Sequence, residues 1–197
     1  MGFTTRCCKR LNLTLHRALR ALTLGAAALV LLYAGLAHAE GVEVRHAAVK
    51  PVEGGYVLEA DFGIQLSLVL DDALHKGVPL YFMFEFELIR PRWYWANEKL
   101  ATVQQQQRLS FNTLTRQYRV GVGTLYQNFS TLREALNYMS RMRRRLEMEP
   151  GALRRGDAYP ASLRFRLDQT QLPKPFLLHT GRDWTFNSDW YRWTVSP

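Results

Sequence analysis

From Gly41 onward the chain is dominated by period-two alternation of apolar and polar positions, which predicts half-buried antiparallel strands. Val42, Val44, His46 and Ala48 open a first short strand, and Gly54-Gly55 supplies a turn. Tyr56, Leu58, Ala60, Phe62, Ile64 and Leu66 then alternate with polar or small residues. The segment Leu68 to Lys76, stopped by Gly77, reads as a short helix. Val78, Leu80, Phe82, Phe84, Phe86 and Leu88 form the strongest apolar stripe, which Pro91 ends. Glu98 to Phe111 reads as a long polar strand. A turn at Asn112–Thr115 leads to its hairpin partner, carrying Tyr118, Val120 and Val122.

One amphipathic helix stands out. Thr131-Leu-Arg-Glu134 is a capping-box pattern, in which hydroxyl and carboxylate satisfy opposing backbone N–H groups. Leu132, Ala135, Leu136, Met139 and Met142 continue it as one apolar stripe. Arg141, Arg143, Arg144 and Arg145 are expected at its C-terminus, where cations suit the helix dipole. Tyr159, Ala161, Leu163, Phe165 and Leu167 give a further strand, and a Pro-containing loop at Gln171–Phe176 leads to a last short strand and an aromatic tail. The expectation is a mostly β (α+β) domain. It takes the form of an antiparallel β-sandwich or curved sheet of about seven strands with one amphipathic helix packed on it.

The N-terminal segment follows a different pattern. Arg6, Lys9, Arg10, Arg17 and Arg20 precede an uncharged apolar run from Ala21 to Leu36, followed by Ala37-His38-Ala39. A basic region, an apolar region and a small-x-small site predict a signal peptide over residues 1–39, cleaved after Ala39, and a single secreted, periplasmic domain over residues 40–197. The apolar run is shorter than the roughly 20 residues that cross a bilayer. The alternative is an uncleaved inner-membrane anchor facing the periplasm. Export changes the composition. Both cysteines, Cys7 and Cys8, lie in the leader, so the remaining domain has no disulfide and relies on its core. Removing five basic residues and no acidic ones lowers the formal net charge from +9 to +4, which withdraws support for nucleic-acid binding.

Several segments together resemble a known family: Gly41-Val-Glu-Val44, Gly77-Val-Pro-Leu-Tyr81, Phe86-Glu-Leu-Ile-Arg-Pro-Arg-Trp-Tyr-Trp95, Leu114-Thr-Arg-Gln-Tyr-Arg119 and Gln171-Leu-Pro-Lys-Pro-Phe176. With Asp183-Trp184 and Ser188-Asp-Trp190, the chain resembles an uncharacterised family of exported proteobacterial proteins classed as a domain of unknown function. The resemblance runs from Gly41 to Trp193 and implies an envelope location in a Gram-negative, betaproteobacterial source. It implies no catalytic residues and no cofactor. It also points to a membrane sensor kinase as a candidate partner.

The candidate binding residues are two aromatic–arginine clusters that together hold all five tryptophans: Arg90, Arg92, Trp93 and Trp95, and Trp184, Trp190 and Trp193. Flat aromatic faces beside arginine suit a sugar ring or a protein partner. The competing reading packs the clusters against each other at one end of the sheet, through cation–π contacts of about 1 kcal/mol each. Glu85 and Glu87, two residues apart on a strand, would place carboxylates about 7 Å apart, within the spacing of an inverting glycosidase pair. Pairing with Arg116, Arg119, Arg164 or Arg166 on neighbouring strands explains them as well. Asp71, Asp72 and His75 share a helical turn that reads as solvated surface, and no histidine has a partner at metal-ligand spacing. The polar run Gln104–Gln107 reads as a sheet edge; lining an interior, its amides would instead serve a polar ligand or an incoming strand.

No nucleophile elbow or phosphate loop occurs. The leading expectation is a non-enzymatic envelope module that binds a protein partner through its aromatic–arginine end or an exposed sheet edge. A small-ligand binder, for glycan or lipid, is the alternative. A glycan hydrolase built on Glu85 and Glu87 is third.

Overall fold

The computed structural model describes residues 41–94, 96–173 and 185–196. In chain order they form β1 (Gly41–Val52), β2 (Gly55–Gln65), α1 (Leu68–His75), β3 (Leu80–Arg90), β4 (Glu98–Asn112), β5 (Gln117–Val122) and β6 (Leu125–Phe129). Then follow α2 (Leu132–Met139), β7 (Arg141–Leu146), β8 (Tyr159–Leu167), one 3-10 turn at Gln169–Gln171, and β9 (Tyr191–Val195). Two antiparallel sheets result, one ordered β1-β2-β7 and the other β6-β5-β4-β3-β8-β9. The protein is thus the expected mostly β sandwich, with nine strands and two helices among the described residues.

The inner faces meet through the predicted stripes. Leu80, Phe82, Phe84, Phe86 and Leu88 of β3 are all 0 % exposed. β3 is central, pairing β4 on one side and β8 on the other, so these side chains are covered from every direction. Phe62 of the small sheet sits edge-on to Phe84 at 5.9 Å and lies 5.2 Å from Phe165, while Phe82 stacks on Phe165 at 5.5 Å. Burying each such ring contributes about 1.5–3 kcal/mol.

Local chemistry sets the corners. Gly54 takes a positive φ of 75° in the β1–β2 turn, a conformation open to glycine at little steric cost. Asn112 accepts hydrogen bonds from the Leu114 and Thr115 amides at 3.0 and 3.2 Å, closing the β4–β5 hairpin. Ser67 caps α1 by accepting from the Leu70 amide. The far end of α1 is pinned by His75, whose Nε2 lies 2.8 Å from the Tyr118 hydroxyl and whose ring lies 4.9 Å from Phe111. The histidine expected on a solvated turn therefore ties α1 to β4 and β5.

Two sequence expectations need correction. The helix beginning at Leu132 ends at Met139, with Ser140 as its cap, and Arg141–Leu146 is strand β7 rather than a basic helix end. Met142 and Leu146, four residues apart, fit a helix stripe, but both also lie on one face of a strand. The backbone groups of this segment find partners in β2, with Met142 opposite Ala60 and Leu146 opposite Tyr56. The glutamine run, expected at a sheet edge, lies in a strand flanked by β3 along its length and by β5 from Gln107 onward. β5 is short, so Glu98–Gln106 has a strand on one side only among the described residues, and the edge reading survives for half of β4.

Replacing Phe84 with Ala removes a wholly buried ring, and a loss of about 3–5 kcal/mol is expected from urea unfolding. Leu114→Ala, at a residue 94 % exposed, is expected to stay within about 0.5 kcal/mol of the parent.

Candidate functional site

The aromatic–arginine residues do not assemble into one platform among the described residues; Trp95 and Trp184 lie outside them. Arg90 and Arg92 converge on Glu98 at 3.1 and 2.7 Å, and Arg90 also donates to the Ala152 carbonyl. The hydrogen bond from Arg92 and the charge of both guanidinium groups hold the Glu98 carboxyl below the usual carboxylate range. Trp93 is 94 % exposed and meets Tyr94 edge-on at 5.0 Å. Trp190 lies under the Arg164 guanidinium at 4.4 Å, on the outer face of the large sheet. Trp193, opposite Ala161 in the ladder, faces inward and lies 6.0 Å from Phe86.

The glutamate pair is also engaged. Glu85 accepts from Arg164 Nε at 2.7 Å and from Arg164 Nη2, and forms an ion pair with Arg166 at 3.1 Å. Burial pushes its carboxyl up, yet the hydrogen bonds from Arg166 and Arg164 outweigh that and hold it below its ordinary value. Glu87 accepts from Lys99 at 2.7 Å. A general acid needs a carboxyl held protonated near neutrality, and Glu85 is shifted the opposite way.

The cavity geometry points to a different place. Three strands cannot cover the inner face of six, and the covering stops at β7. Beyond β7, the inner face of β4, β5 and β6 borders a cleft of about 460 Å³ with α2 beside it. Inward-facing positions alternate along β4, so Gln105 and Gln107 stand on the same face as Ala101, Val103 and Leu109. Gln107 is 4 % exposed, paired in the ladder with Phe82 and Val122, and its side-chain oxygen has no hydrogen-bond partner. A buried amide oxygen left unpaired costs about 1–3 kcal/mol. Val120, Val122 and Met142 supply apolar wall, and Arg141, Arg143 and Arg144 supply positive charge.

Strand parity places Arg144 on the inner face. It stands opposite Leu58, between the buried Met142 and Leu146, and reaches into both this cleft and a neighbouring space of about 380 Å³ bounded by Thr102, Gln104 and Glu147. The Arg144 side chain has no ion pair or hydrogen bond among the described residues. Arg143 faces outward to Glu59 at 3.5 Å, and Arg145 donates to the Gly54 carbonyl at 2.6 Å. The signals for this site were two polar runs, Gln104–Gln107 and Arg141–Arg145, and strand parity is what joins them.

Over residues 39–194 the chain matches the family described as Domain of unknown function (DUF4390), and it belongs to that family. No curated protein and no solved structure matches it.

Two outcomes follow. Thr131 accepts from the Glu134 amide in a complete capping box at the start of α2, so Thr131→Ala should lower stability by about 1 kcal/mol, read from thermal unfolding. Glu85 contributes stability above its ordinary pKa of 4.5 that is lost as pH falls, because its folded-state value is the lower one. Glu85→Gln should therefore be destabilising at pH 7, with the gap to the parent closing in unfolding curves taken at successively lower pH below that value. A gap independent of pH would rule out the ion pairs as its source.

Proposed function

We propose that this member of the DUF4390 family is an exported, non-enzymatic binding module of the bacterial envelope, and that it holds a protein partner at the cleft beside β7. Support for export comes from the basic, apolar and small-residue order of residues 1–39, with release after Ala39 as the reading that order favours. Support for a binding role comes chiefly from Gln107, which lines an arginine-bearing cleft and whose buried side-chain oxygen lacks a partner. Such a group is a cost to the isolated fold that an incoming donor offsets. Of the two routes expected for a partner, this geometry favours the sheet edge over the tryptophans. Trp190 and Trp193 face opposite sides of the sheet, and each already has a partner.

A small amphiphilic anion is the second reading. The combination of Val120, Val122 and Leu125 with Arg141 and Arg144 in one half-enclosed space favours it.

A photo-crosslinking amino acid placed at Gln105 in living cells, with the native N-terminus and a C-terminal tag kept, tests both. Covalent capture of a defined envelope protein from position 105, and not from position 93, is the expected result. Capture from position 93 alone would move the site to the tryptophan loop. Adducts of lipid mass at position 105 would favour the amphiphile. The mass of the recovered chain reports whether residues 1–39 have been removed.

A further inference from the structure

We infer that the small sheet is built to take a fourth strand, an extended acidic segment of the partner that pairs with the free edge of β7. This rests on the binding-module reading above and specifies its ligand. The edge itself is the first observation. β7 pairs with β2 on one side, and among the described residues no strand pairs with Arg141–Leu146 on the other. The unpaired N–H and C=O groups of such an edge are a template for an added strand.

Charge chooses the strand. On the outer face of the small sheet, Lys50 meets Glu59 at 2.5 Å and Glu59 meets Arg143 at 3.5 Å. The row runs positive, negative, positive and stops at the edge, so a negative side chain is the complement at the next position. On the inner face, Arg144 stands at that same edge without a partner. A second carboxylate, one residue along the added strand and so on its opposite face, meets it. The cleft then receives the inward side chains. Strands pair at about 4.8 Å and sheets stack at about 10 Å, so a strand beside β7 lies over Gln105, Val120 and Val122. There the inward side chains meet the face that carries Gln105 and Gln107. β7 offers six residues for pairing, and the added segment matches that length.

The test uses the full chain and ten-residue probe peptides. One carries adjacent Glu-Glu pairs set among Thr and Val, which places carboxylates on both faces, one carries Lys in place of Glu, and one repeats the acidic sequence with alternate backbone nitrogens methylated. The acidic peptide should bind and slow amide hydrogen exchange over Arg141–Leu146, while the lysine and methylated peptides do not. Arg143→Ser and Arg144→Glu, both at exposed side chains, should each weaken binding about tenfold. Raising ionic strength should weaken it further. Equal binding of the methylated peptide, or protection elsewhere in the chain, overturns strand addition. So does protection of β7 by sodium dodecanoate with none from the acidic peptide, or a dimer that forms through this edge. No peptide binding together with capture at position 105 in cells refutes the fourth strand and leaves the binding module standing. Peptide binding without capture upholds the strand site and counts against the cellular partner reading.

Discussion

The organisation of this protein follows from a mismatch between its layers. A six-stranded sheet presents an inner face wider than three strands can cover, and every apolar position on it needs a neighbour. The region over β3 and β8 is closed by β2, whose Phe62 reaches both Phe84 and Phe165. The region over β5 and β6 is partly closed by α2. Between these two covers the inner face turns from phenylalanine to glutamine, at Gln105 and Gln107, which flank Phe84 and Phe82 in the ladder. Amides tolerate water where a ring would not, so the polar positions mark where the cover ends.

The same boundary collects charge. The arginines of β7 lie at the limit of the small sheet, where long side chains can run along apolar surface and keep their heads in water. Several other charges are settled in pairs: Glu85 between Arg164 and Arg166, Glu98 between Arg90 and Arg92, Glu87 with Lys99. The Arg144 guanidinium differs from these in standing at the sheet's limit with no ion pair among the described residues.

Much of the sandwich could be read from the chain. β3 and β8 carry uninterrupted apolar alternation, and no helix accommodates five large residues at period two. β7 was hidden because Met142 and Leu146 fit both periods, and three arginines between them name no face. The glutamines carried the right parity, two and four residues beyond Val103, but their polarity argued for solvent. What placed Gln107 inside was the length of β5, which depends on the turn at Gly123 and not on any property of the glutamine. Trp190 and Trp193 differ in another way. Closeness in sequence suggested a shared surface, whereas the turn before β9 sends Trp190 and Trp193 to different sides of the sheet.

An edge that stays open to a partner is equally open to copies of itself, and here the arginines of β7 bear on both. Two such edges brought together antiparallel would set guanidinium groups against one another, and like charges directly opposite are destabilising. The barrier is electrostatic, so it weakens as salt rises and disappears if the side chains are exchanged for neutral β-formers such as threonine. Arg141, Arg143 and Arg144 thereby oppose the edge-to-edge pairing of two copies of this chain.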